Sequence, residues 1–246
     1  MSCPSKETVL VTGASRGIGA AVALRLAADG YRLALSYRTD SVAAERVAGF
    51  ARDAGAEVAL FQADMADPSQ ALTLPEKACA HFGSLDAVVA NAGVTVDGPF
   101  VVLNPAQVAT VLRTNLSGTI RVVCAALPHL RRSPAAAIVL VSSLGGIAGK
   151  DGQVPYAASK GGVIGLCQWL GDRLGPEGIR VNAVAPGFIT TDMTTGLDPE
   201  QMAPVVQASA LRRIGSADEV ACAVSFLLKP GYIQSTTLRI DGGFAR

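Results

Sequence analysis

Short apolar runs recur along the chain at Thr8-Val11, Arg32-Ser36, Glu57-Phe61, Ala87-Ala90, Ala137-Val141, Val181-Val184 and Thr237-Ile240. Stretches with helical periodicity separate most of them. Runs this short predict buried strands, and an alternation of strands with helical crossovers gives parallel neighbours joined by right-handed connections. The predicted fold is α/β: a doubly wound parallel sheet of about seven strands with helices on both faces. Helix starts are marked by Pro68 after Asp67, Pro105 after Asn104, Pro199 after Asp198, and Ser216 ahead of Asp218 and Glu219, all suited to capping a first turn. No linker or repeat interrupts this pattern, so residues 1–246 are expected to form one domain.

Composition narrows the function. Half of the residues are hydrophobic, 17% are charged and 26 are Gly, which suits a sheet buried on both faces with many tight turns. The net charge is +1 with no long run of either sign, so the chain lacks the basic footprint that nucleic acid or anionic lipid requires. Cys3, Cys79, Cys124, Cys167 and Cys222 show no CxxC spacing, and His81 and His129 are the only histidines. No metal site is expected, and the thiols are expected to be free in a reducing cytosol. No stretch approaches the ~18 apolar residues of a membrane helix, which adds to the expectation of a cytoplasmic protein.

Directly after the first strand comes Thr12-Gly13-Ala14-Ser15-Arg16-Gly17-Ile18-Gly19, opening a stretch with helical periodicity. Glycine allows a tight turn and close approach to a pyrophosphate, and a helix N-terminus offers unpaired N–H groups at its positive end. Gly-rich turns also serve simple chain reversal, but strand-turn-helix context at the first strand favours a dinucleotide. Gly13, Ser15, Arg16, Gly17, Ile18 and Gly19 are therefore candidate cofactor residues. The second strand ends Ser36-Tyr37-Arg38, where a carboxylate would select NAD and a guanidinium favours the 2'-phosphate of NADP. Arg38, helped by Arg16, points to NADP(H); the competing reading makes Arg38 a solvated arginine and gives the acidic role to Asp40.

Ser142 and Ser143 follow the Ala137-Val141 run, at a strand's carboxyl end where open α/β sheets bind ligands. Further on, Pro155-Tyr156-Ala157-Ala158-Ser159-Lys160 puts Tyr156 and Lys160 on one helix face. A phenol of pKa ~10 is a reluctant acid at neutral pH, and a cation within ~4–6 Å typically lowers such a value by roughly 1–3 pH units; Lys160 is expected to supply that cation. Alone, the Tyr-Lys spacing occurs on many helices as an amphipathic Tyr beside a solvated Lys. Its agreement with the glycine turn, the strand-end serine and Asn91-Ala92-Gly93 is what makes it chemical.

With these motifs the chain resembles the short-chain dehydrogenase/reductase family over nearly its whole length, and within it the bacterial 3-oxoacyl-[acyl-carrier-protein] reductases. The resemblance implies a Rossmann-like fold and a catalytic tetrad of Asn115, Ser143, Tyr156 and Lys160. In it Ser143 and Tyr156 polarise and protonate the substrate carbonyl, Lys160 also grips the nicotinamide ribose, and Asn115 positions a water linking Lys160 to solvent. Unmatched to that pattern, Asn115 would simply cap or bend its helix, and Asp64 would be only a turn former. The resemblance further assigns to the cofactor Asp64 with Met65, then Asn91, Ala92 and Gly93, and, in the loop after the sixth strand, Pro186, Gly187, Ile189 and Thr191. It makes about 190–212 a substrate lid, with Met193, Leu197 and Met202 as apolar lining, although ordinary helix packing suits those three almost as well. The activity implied is NADPH-dependent reduction of a 3-oxoacyl thioester, on acyl carrier protein, to the (3R)-hydroxyacyl thioester, by a homotetramer or dimer serving fatty acid biosynthesis.

Two places depart from the family pattern. Ser235, in Tyr232-Ile233-Gln234-Ser235-Thr236-Thr237, replaces a glycine in a region the family commonly uses for subunit contact. A carrier-protein docking patch is only partly matched, by Arg131, Arg132 and Arg173. Alternatives are therefore an NADPH-dependent reductase of a free ketone, a quinone or a specialised polyketide or polyene intermediate, and a catalytically silent NADP-binding subunit.

Overall fold

The structure, a computed structural model, describes residues 7–190, 199–229 and 231–244, with side chains described outside 199–202. The elements are β1 (Thr8–Val11), α1 (Gly17–Ala28), β2 (Arg32–Tyr37), α2 (Ser41–Asp53), β3 (Val58–Gln62), α3 (Pro68–Phe82), β4 (Ala87–Ala90), α4 (Pro105–Leu112), α5 (Thr119–Leu130), β5 (Ala137–Val141), α6 (Gly145–Ala148), α7 (Val154–Leu174), β6 (Arg180–Pro186), β7 (Ile189–Thr190), α8 (Pro199–Ala208), β8 (Gly215–Ser216), α9 (Ala217–Leu228) and β9 (Thr237–Ile240). The main sheet has seven strands in the order β3-β2-β1-β4-β5-β6-β9, all parallel. The expected fold class is what the chain adopts.

Alternation along each strand builds two cores. Val9, Val11, Leu33 and Leu35 face one side, under α1, α2 and α9, whereas Leu10 and Ala34 face the other, under α3, α5 and α7. Burying each such large aliphatic side chain stabilises the fold by roughly 1.5–3 kcal/mol. Three of the four predicted caps are seen, and the fourth, Asp198, lies outside the described residues. Asp67 accepts from the Ser69 and Gln70 amides ahead of α3, and Asn104 and Ser216 each form a reciprocal capping box with Gln107 and Glu219. Among the described residues no helix is long and apolar enough to cross a membrane, and Cys79, Cys124, Cys167 and Cys222 are free thiols.

Three local features differ from simple expectation. Arg113–Gly118 forms a π-helical turn between α4 and α5, so Asn115 lies in an interruption of the long central helix. Ser235 takes φ +57°, the left-handed region its glycine counterparts occupy without strain; its hydroxyl donates to Asp172 Oδ1 at 3.2 Å. Arg180, at the start of β6, donates to the carbonyls of Leu227 and Leu228 at 2.7 and 2.6 Å, closing the C-terminus of α9 with a cation where the helix dipole favours one. Arg180→Met is expected to lower the unfolding free energy by about 2–3 kcal/mol, measured as a lower urea midpoint at unchanged slope.

Candidate active site

The strand order reverses between β1 and β4, and the crevice beyond their carboxyl ends is where such sheets bind ligands. The glycine turn after β1 is built for a close neighbour. Gly13 and Gly17 have φ of +66° and +55°, and a Cβ on Gly19 would come within 2.2 Å of the Gly13 carbonyl. Arg16 stands at the N-cap of α1 and makes no side-chain capping bond, which leaves the first-turn amides for an anion. Arg16 and Arg38 are exposed, and among the described residues neither guanidinium makes an ion pair. Asp40, the rival acidic residue, is spent: its carboxylate accepts from the Ala43 amide at 2.8 Å and caps α2.

Asn91 and Thr12 lock this turn to β4. The Asn91 amide donates to the Thr12 and Gly13 carbonyls at 2.9 and 3.0 Å, and the Thr12 hydroxyl accepts from the Asn91 and Ala92 amides at 3.0 Å each. The Asn91 side chain thus shapes the cofactor crevice, and Thr12, outside the predicted set, shares that task. Asp64 Oδ1 accepts from the Ala66 amide at 2.9 Å, the turn-forming bond expected of it. Buried Met65 packs against the π turn, where a Cβ on Gly118 would lie 2.4 Å from the Met65 carbonyl.

The two strand-end serines have separate tasks. Ser142 is buried and donates to the Lys160 carbonyl at 2.8 Å, joining β5 to α7. Ser143 is partly exposed, and its oxygen accepts from the Gly145 amide at 3.1 Å. Close backbone contact sets α7 against this turn: a Cβ on Gly146 would fall 2.6 Å from the Lys160 carbonyl carbon. The Leu144 amide donates to the Pro186 carbonyl at 2.8 Å, bringing the loop after β6 beside Ser143. Gly187 permits the next approach, since a Cβ there would lie 2.8 Å from that of Asp241. Ile189 is buried and pairs with Gly215. Thr191, Met193, Leu197 and the side chain of Met202 lie outside the described residues.

Tyr156 and Lys160 come together as predicted, with Lys160 Nζ 5.8 Å from the Tyr156 ring centroid, but their electrostatics differ from expectation. Burial raises the Tyr156 pKa; a hydrogen bond with Ser143 works in the opposite direction, and the Asp97 carboxylate adds to the rise. Lys160 is buried, and burial lowers its pKa to about 8. The predicted lowering of Tyr156 by Lys160 is therefore corrected: desolvation disfavours phenolate and ammonium alike, and the ammonium donates to the Val141 carbonyl at 2.7 Å. An ammonium has three protons to donate, and among the described residues Val141 is its one acceptor. Two protons remain for a ligand's oxygens, which fits the hydroxyls of a nucleotide ribose.

Asn115 is fully buried. Its Oδ1 accepts from the Val94 amide at 2.8 Å, and its Nδ2 donates to the Val94 carbonyl and Ser159 Oγ at 2.9 and 3.0 Å. A Cβ on Gly93 would meet Asn115 Oδ1 at 3.3 Å and Lys160 Nζ at 3.5 Å, so both face one small space. The Asn115 side chain thus ties the Gly93-Val94 loop to the helix turn that carries Lys160.

The arginines expected to dock a carrier protein lie away from this site. Arg131 and Arg132 follow α5 where the chain turns toward the start of β5, and Arg173 ends α7, at the opposite end of the sheet from Ser143. Arg131 is bidentate with Glu177, Arg132 bonds His129 at 2.8 Å, and Arg173 lies over the Trp169 ring.

Known proteins resemble the chain in sequence and fold. The sequence model of a family described as enoyl-(acyl carrier protein) reductase matches residues 13–245. The 3-oxoacyl-[acyl-carrier-protein] reductase FabG of Staphylococcus aureus is 38% identical over 239 residues, covering 96% of this chain and 97% of that protein. A short chain dehydrogenase from Burkholderia cenocepacia solved in complex with NADP is 36% identical, covers 98% of this chain and 99% of its own, and superposes with a TM-score of 0.91. Levodione reductase is 34% identical over 96% of each chain, with a TM-score of 0.90. Fold, site and relatives agree: the chain belongs to the short-chain dehydrogenase/reductase family.

Proposed function

We propose that the protein is an NADPH-dependent reductase that converts a 3-oxoacyl thioester, presented on acyl carrier protein, to the (3R)-hydroxyacyl thioester. The observation that carries this reading is the convergence of Ser143, Tyr156 and a buried, under-partnered Lys160 at the carboxyl end of the sheet, beside the glycine turn. Relatives active on 3-oxoacyl carrier-protein substrates support the substrate class.

Bound NADPH supplies the hydride. The chain supplies the rest. Gly13, Gly17 and the first turn of α1 receive the pyrophosphate, and Arg16 and Arg38 receive the 2'-phosphate. Ser15 and Ile18 line this turn, Asp64, Met65, Ala92 and Gly93 flank the adenosine, and Pro186, Gly187, Ile189 and Thr191 flank the nicotinamide. Lys160 holds the nicotinamide ribose through its free N–H protons. Ser143 and Tyr156 donate to the substrate oxygen, and Tyr156 gives its proton to the developing alkoxide. A reductase needs that phenol protonated, so a pKa raised by burial suits the direction of the reaction. The segment at about 190–212 serves as the substrate lid. Its far end is tied down by the Ala210 and Leu211 amides, which donate to the Gly243 and Gly242 carbonyls at 3.2 and 3.0 Å. Exposed Phe226 and Tyr232 support assembly of a homotetramer or dimer through the β9 side.

A second reading, reduction of a free ketone, is favoured by the likeness to levodione reductase. Product analysis with NADPH separates the two, using acetoacetyl-CoA, a longer 3-oxoacyl carrier-protein thioester, a free cyclic diketone and crotonyl-CoA. The expected result is a (3R)-hydroxyacyl product from the thioesters, faster with carrier protein, and no product from crotonyl-CoA. Turnover of the diketone alone would replace the proposal with the second reading.

A further inference from the structure

The loop from Asn91 to Asn104 runs from the cofactor crevice across the mouth of the site, and its course is fixed at two places. Asn115 grips Val94 through both its amide and its carbonyl. Farther out, the Gly98 amide donates to the Gly152 carbonyl at 2.9 Å, and Gln153 Nε2 donates to Asp97 Oδ2 at 2.8 Å. Gln153 is the N-cap of α7, so the loop is bonded to the turn that delivers Tyr156. The Thr95 hydroxyl donates to the other Asp97 oxygen. Both carboxylate oxygens are thus held in place, yet Asp97 is exposed and makes no ion pair among the described residues. Lys150, on the facing loop, sits over the Phe188 ring at 4.8 Å, and exposed Asp151 beside it in sequence adds a second negative charge.

We propose that Asp97 is a specificity-determining residue: fixed at the mouth by Gln153 and Thr95, its uncompensated carboxylate rejects ketones that carry a negative charge near the reacting carbonyl and admits neutral ones. Asp97 is bonded to Gln153, three residues before Tyr156 at the start of α7, and its charge adds, after desolvation, to the rise in the Tyr156 pKa; the same field acts on a carboxylate bound against Tyr156. Like charges near a partly shielded protein surface repel strongly enough to change binding by roughly tenfold. A free 3-oxo acid presents such a charge close to its ketone; a thioester or oxygen ester of the same acid does not. The selection refines the proposed ketone reduction and rests on it, and it excludes hydrolysed substrate from a site built for the thioester.

The test compares acetoacetate with ethyl acetoacetate, with saturating NADPH, in the wild type and Asp97→Asn. The amide oxygen of the variant still accepts from Gln153, and its NH2 can donate to the Thr95 hydroxyl oxygen with that hydroxyl turned round, so both contacts are kept while the charge is removed. The ratio of kcat/KM for acetoacetate to that for ethyl acetoacetate is expected to rise by roughly tenfold in the variant, and the wild-type ratio is expected to rise with added salt. A ratio unchanged within about twofold, with both substrates turned over, would overturn the selection while leaving ketone reduction standing. Wild-type protein that reduces neither of these substrates nor acetoacetyl-CoA would overturn both.

Discussion

Tyr156→Phe is expected to lower kcat for ketone reduction by about 10²–10⁴-fold while leaving NADPH affinity within a few-fold of wild type. The substitution removes one oxygen and keeps the ring that packs beside Lys160 and Gly145. What is lost is the proton that must reach the substrate oxygen as the carbonyl is reduced, together with one of its two hydrogen-bond donors. Ser143 remains, so the variant still polarises the carbonyl weakly. The raised Tyr156 pKa also fixes the sign of the pH dependence: reduction uses the protonated phenol, so this group leaves the rate flat through neutral pH and lowers it only in alkali. Steady-state kinetics over pH, with NADPH binding followed by fluorescence, separates loss of the acid from loss of cofactor.

Arg38→Asp is expected to reverse cofactor preference, reducing kcat/KM for NADPH by about 10²–10³-fold. A charge-assisted bond to phosphate contributes roughly 1.5–3 kcal/mol, each 1.4 kcal/mol is tenfold, and the new carboxylate adds repulsion. Arg38 lies exposed after β2, and among the described residues no carboxylate pairs with its guanidinium, while Asp40 is occupied as the cap of α2. NADH is expected to lose little, because a carboxylate at this place accepts from ribose hydroxyls. The ratio of kcat/KM for the two cofactors is the readout; an unchanged ratio would assign the 2'-phosphate to Arg16 alone.

Most of the framework is legible in the sequence because strands buried on both faces leave short apolar runs with sharp polar ends. Thr8-Val11, Ala87-Ala90, Ala137-Val141 and Thr237-Ile240 match the observed strands end to end. The sixth extends to Arg180 and Pro186, since a strand paired on both sides continues past its apolar centre. The glycine turn, the strand-end serine and the Tyr-Lys pair are legible for a similar reason: local spacing sets their geometry.

Illegible are the features made by main-chain atoms and long-range burial. The Val141 carbonyl that holds Lys160 carries no side-chain signature. The rise in the Tyr156 pKa reflects desolvation by the assembled site, which the spacing of two residues does not report. The π turn at Asn115 follows an ordinary helical pattern, and only its bonds to Val94 and Ser159 reveal why the residue must face inward. Asp97, in an Asp-Gly pair, reads as a simple turn until Gln153 is brought against it.

The most direct test of the central claim is NADPH oxidation by the purified protein with acetoacetyl-CoA, with the product identified by mass and chirality. The account predicts one NADPH consumed per (3R)-3-hydroxybutyryl-CoA formed, and a much slower reaction with NADH. Tight NADPH binding without oxidation by any 3-oxoacyl thioester or free ketone would contradict it.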